Sequence, residues 1–156
     1  LLSLFWIALL LIGDGGCALS NFRYDSRYTP TEEREAAMTQ AWLVLTRPDG
    51  RDVAGPSEAQ MAAALADVYG GKAAASDGAL GSAVLRFGYD DGLMYEMEVS
   101  TGGAVRFAEW SDRDCEIALA SPRTMTVAAQ ADALQLWRLM AQRQVAKIRN
   151  QPWRDD

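Results

Sequence analysis

From Ser82 onward apolar and polar residues alternate with a period of two. Leu85, Phe87 and Tyr89 are out of step with Val84, Arg86 and Gly88; beyond Asp90-Asp91-Gly92, Leu93, Tyr95, Met97 and Val99 alternate with Met94, Glu96 and Glu98. A period of two sends alternate side chains to opposite faces, so the pattern predicts a hairpin turned at Asp-Asp-Gly with one buried and one wet face. Ser100-Thr101-Gly102-Gly103 turns the chain again into Ala-Val-Arg-Phe-Ala-Glu-Trp, which completes a three-stranded antiparallel meander. Residues 111–122 read as a charged loop with a short strand at 117–120, closed by Pro122.

Elsewhere the period is helical. In "GPSEAQMAAALADVYGG" Ser57 is placed to cap, Gln60 lies three residues on to complete a capping box, and Gly70-Gly71 stops the helix. Met61, Leu65 and Val68 recur on one side of it and should face a sheet. Residues 126–149 lack internal Gly and Pro and predict a second, longer helix. Its apolar side carries Leu134, Trp137, Met140 and Ile148, and its solvated side Arg138, Gln142, Arg143 and Lys147. Pro152 ends it, and Trp153 is expected to fold back as a hydrophobic latch. Before these elements, residues 42–46 read as a strand running into the turn Arg47-Pro48-Asp49-Gly50, and residues 72–81 as a flexible loop of small residues. The order β-α-β-β-β-α predicts one α+β domain over residues 38–156. Its antiparallel sheet, the meander plus an N-terminal strand, should pack against two helices.

The opening "LLSLFWIALLLIGDGGC" admits two readings. Residues 1–12 are too short for a bilayer span of about 20 residues, but suit the hydrophobic part of a secretory signal cleaved after Ala18. Residues 21–37 would then be a tether, in an exported envelope protein of the periplasm or cell surface. A lipid anchor at Cys17 is disfavoured by Asp14, three residues before it. In the other reading Glu32-Glu33-Arg34-Glu35 is a purine-rich ribosome-binding tract, translation starts at Met38, and the protein is cytoplasmic.

Composition narrows the chemistry. The net charge of −6 argues against a phosphate-tracking surface and in favour of a basic protein partner. With no histidine in the chain, Ser-His and Cys-His nucleophile pairs and histidine-ligated zinc are excluded. Cys17 and Cys115 match no metal spacing, and Cys115, between Asp114 and Glu116, reads as a structural thiol. No cofactor, metal or enzymatic activity is called for.

The acidic residues around the last meander strand are the one candidate site. Glu96 and Glu98 share a strand face, and Glu109, Trp110, Asp112, Asp114 and Glu116 follow. They read either as a docking patch for a basic partner, with Trp110 as its aromatic anchor, or as an ordinary solvated face. Paired carboxylates can also serve acid-base chemistry or bind calcium, but the spacing here is not that of a calcium hand.

The order of elements, the acidic charge and the ending "LWRLMAQRQVAKIRNQPWRDD" resemble the immunity proteins of bacterial polymorphic toxin systems, in particular the first-numbered family of that collection. The resemblance covers residues 38–153. It implies a compact α+β inhibitor that binds a cognate toxin, often a nuclease or deaminase, and occludes its basic cleft.

Overall fold

The computed structural model describes residues 40–71 and 81–155. The predicted signal, tether and start site, Cys17, and nearly all of the loop at 72–81 lie outside the described residues. Strands β1 (Ala41–Thr46), β2 (Asp52–Ala54), β3 (Ser82–Tyr89), β4 (Met94–Ser100), β5 (Ala104–Trp110), β6 (Arg123–Thr126) and β7 (Arg154–Asp155) form one antiparallel sheet in the order β2-β1-β3-β4-β5-β6-β7. Helices α1 (Glu58–Tyr69), α2 (Gln130–Ala141) and α3 (Val145–Arg149) complete an α+β layout.

The meander and the N-terminal strand are where the alternation puts them. The sheet is nonetheless wider than expected, by β2, β6 and β7, and the helices number three. Strands of two to four residues are too short to show a period, so they escape a pattern-based reading. The turn at Arg47–Gly50 forms as its residues require: Gly50 sits at φ +80° and donates its N–H to the Arg47 carbonyl. That reversal generates β2.

The long helix expected at 126–149 is divided. Thr126 is instead the last residue of β6, paired with Ala104, and β-branched threonines at 124 and 126 suit that strand. Gln142 then ends α2, and Arg143 takes a left-handed φ of +59°. The Arg143 N–H donates to Met140 O and the Gln144 N–H to Leu139 O, a Schellman closure with arginine where glycine is usual.

The face carrying Leu43, Leu45, Leu85, Phe87, Tyr95, Met97, Val99, Val105 and Phe107 packs against α1 and α2. The Ser57–Gln60 capping box is present, and Met61, Leu65 and Val68 are buried. From α2 come Leu136, Trp137 and Met140, and from α3 Ile148. An aromatic row crosses this face, Phe87 on Tyr95 at 5.6 Å, Tyr95 on Phe107 at 6.4 Å and Phe107 on Trp153 at 5.7 Å. The row ends in the expected latch, because Trp153 Nε1 donates to the Ile148 carbonyl at 2.6 Å. Each fully buried large side chain contributes roughly 1.5–3 kcal/mol.

The second sheet face is less wet than its alternation implies. Among the described residues no helix lies on it, yet Met94 and Val84 are buried. Met94 stands in a cross-strand row, Trp42, Gly88, Met94, Trp110 and Ala118, in which each residue is directly opposite the next. The Trp42 ring lies over Gly88, the residue directly opposite Met94.

Candidate functional site

One corner of the sheet collects the chemistry. It is built from the turn at residues 90–93, the loop 111–119 leaving β5, and the Trp42 end of β1.

Trp42 is placed by what Gly88 lacks. A Cβ on Gly88 would lie 2.3 and 2.7 Å from atoms of the indole, so the ring crosses β3 directly over the glycine. The Arg113 guanidinium sits over the indole, 5.2 Å from its centroid. Arg113 Nη2 also donates to Asp90 Oδ1 at 2.8 Å and to the Tyr89 carbonyl at 3.3 Å. The loop is thereby tied to the neighbouring turn.

Asp112 organises the loop from within. Its Oδ1 accepts the N–H groups of Asp114 and Glu116, each at 3.0 Å, and its Oδ2 that of Ile117 at 2.7 Å. The Glu116 N–H does most to hold its carboxyl below the usual aspartate range; Ile117, Asp114 and Cys115 add to it, while partial desolvation opposes it. One backbone bond closes the loop on itself, from Ser111 N–H to Ile117 O, and one fastens it to β5, from Leu119 N–H to Glu109 O, both 2.9 Å. The expected strand at 117–120 is thus reduced to a single bridge, Ala118 opposite Trp110. Cys115 takes a φ of +59° in the tight part of the loop and is half-buried.

This scaffold displays Ile117 and Leu119, 61% and 52% exposed, as the large hydrophobic side chains left in solvent among the described residues. Beside them the carboxylates of Asp114 and Glu116 are exposed, and those of Asp90 and Asp91 stand on the adjacent turn.

The seven acidic and aromatic residues expected to form one patch are therefore only partly united. Trp110, Asp112, Asp114 and Glu116 meet at this corner. Glu96 lies farther along the outer face, buried, bonded by Arg86 Nε at 2.8 Å and approached by Arg106 at 3.6 Å. Glu98 shares that face one cross-strand row farther from Trp110, opposite Val84 and Arg106, and is half-buried. Glu109 points to the other, helix-covered face, where it is buried and gripped by Arg149, whose Nε lies 3.2 Å from both carboxylate oxygens. Neutralised by arginine, Glu96 and Glu109 add little to the outward field. Adjacency in sequence concealed this, because neighbours on a strand face opposite ways. Trp42, Ile117 and Leu119 were missed; the first is a strand residue sixty-eight positions before Trp110, and the others alternate like buried strand residues.

Among the described residues no cluster of three or more metal-binding side chains occurs, and no helix is long and apolar enough to cross a membrane. A shallow depression between β6 and α2, about 220 Å³ in volume, brings the Asp132 carboxyl together with Gln135 and Gln151 over Val127 and Leu136. It assembles no pair of carboxylates and no nucleophile. No family model, curated protein or solved structure matches the chain.

Proposed function

We propose that the protein is a stoichiometric inhibitor of the immunity type, which binds a basic, nucleic-acid-targeting toxin and occludes its cleft without transforming a substrate. The carrying observation is the 111–119 loop. Its backbone is fixed by Asp112, and it holds Ile117 and Leu119 in solvent among the carboxylates of Asp114 and Glu116. An apolar centre inside a charged rim is the arrangement of a protein interface. A loop already fastened to β5 loses little further freedom on binding, so more of the contact energy appears as affinity. The carboxylates would steer a cationic partner and set the on-rate, while the apolar side chains govern dissociation.

The test is co-expression of the full chain with the protein encoded immediately upstream, followed by isolation of the complex. A one-to-one complex that abolishes the partner's toxicity is the expected result. Undiminished toxicity with both proteins present at equal amounts would overturn the proposal.

A second reading, an exported envelope protein, is favoured by the apolar run at residues 1–12. The mass of the native N-terminal peptide separates it from the cytoplasmic inhibitor: a terminus near Leu19 supports export, and one at Met38 or Thr39 the inhibitor.

A further inference from the structure

The corner contains a receptor for a single guanidinium group, filled by the chain's own Arg113, and we propose that an arginine of a bound protein takes Arg113's place. Three acceptors of different kinds converge on that group: the face of Trp42, the Asp90 carboxylate at 2.8 Å and the Tyr89 carbonyl at 3.3 Å. The indole face is built in advance. Gly88 lets the ring lie against β3, and any side chain there would displace it.

The occupant is exchangeable. Arg113 and Asp90 keep 43% and 57% of their side chains in solvent, the regime in which an ion pair is weak. The loop does not depend on it either, since its closure runs through Asp112, Ser111 and Leu119. Swinging Arg113 out leaves Asp90 uncompensated beside Asp91, in a chain of net charge −6, and an incoming arginine restores the balance. Arginine suits the site better than lysine, because a planar guanidinium stacks on an indole while donating in its own plane. This deepens the inhibitor reading by naming a side chain that the basic partner would supply, although its test needs no toxin.

The experiment uses the full chain with 15N-labelled tryptophan and follows the Trp42 indole resonance during titration with Nα-acetyl-arginine N-methylamide or its uncharged citrulline counterpart. In Arg113→Ala the arginine probe should produce a saturable shift at concentrations at least about five-fold lower than in the wild type. The citrulline probe should bind about ten-fold more weakly, as loss of the cation–π and carboxylate contacts implies. Arg113→Gln, which keeps the aliphatic stem, should behave similarly, and an unmoved Trp137 resonance reports an intact core. An Arg113→Ala indole that ignores arginine, or responds equally to citrulline, overturns the proposal. A responding indole without toxin capture would remove the inhibitor reading and leave this site standing; toxin capture with a silent indole would do the reverse.

Discussion

Asp112 carries a charge that is turned inward. Both its oxygens accept backbone N–H groups of its own loop, so its negative charge is stabilised in the fold and its carboxyl titrates below the ordinary aspartate range. A lowered folded value means that the ionised carboxylate stabilises the loop above the unfolded value, and that this contribution disappears as pH falls through the folded one. The stability difference between wild type and Asp112→Asn should therefore be constant near neutrality and shrink below about pH 4, as followed by urea unfolding across pH. Gly88 acts by absence. Gly88→Ala forces the Trp42 ring off β3 and presses on the Leu93 carbonyl, with a built Cβ 2.9 Å from that oxygen. It should cost about 1–3 kcal/mol of unfolding free energy, read as a lowered denaturant midpoint at unchanged slope, and an unchanged midpoint would show that the ring has room to move. Neither role was legible in the sequence. An aspartate in a charged loop looks the same whether it faces solvent or its own backbone, and Gly88 is only one more residue in an alternating strand.

At the scale of elements, long periodic segments were readable and interruptions were not. The Ser57–Gln60 box and the run Met61, Leu65 and Val68 specify α1 almost completely, because cap, period and stop agree. The break between α2 and α3 carries no such mark. Arg143 supplies the left-handed residue in place of glycine, so the chain shows unbroken helical composition across a real end. Arg143→Gly removes that strain and should raise stability by about 0.5–1 kcal/mol; a lower melting temperature would indicate that the arginine side chain has a compensating role. The short helix beyond the break buries Ile148 and carries Arg149 to Glu109. One turn of chain thereby neutralises a carboxylate that the sequence placed on the acidic surface.

For the whole molecule, a net charge of −6 does not tell where in the fold the acidic residues sit. The sheet sorts the acids of one short stretch onto two faces and a loop. Arginines neutralise those that the faces would bury, and the loop leaves Asp114 and Glu116 exposed. Asp114→Asn with Glu116→Gln should accordingly slow association and flatten its salt dependence while leaving dissociation nearly unchanged, as read from stopped-flow mixing over a range of ionic strength. The apolar part of the surface bears most directly on the central claim. Because Ile117 and Leu119 are exposed, truncating both leaves the core intact. The decisive measurement is calorimetric titration of the upstream-encoded protein with wild type and with the Ile117→Ala, Leu119→Ala double variant. The account predicts affinity weakened by about thirty-fold or more at an unchanged melting temperature, and equal affinities for the two proteins would contradict it.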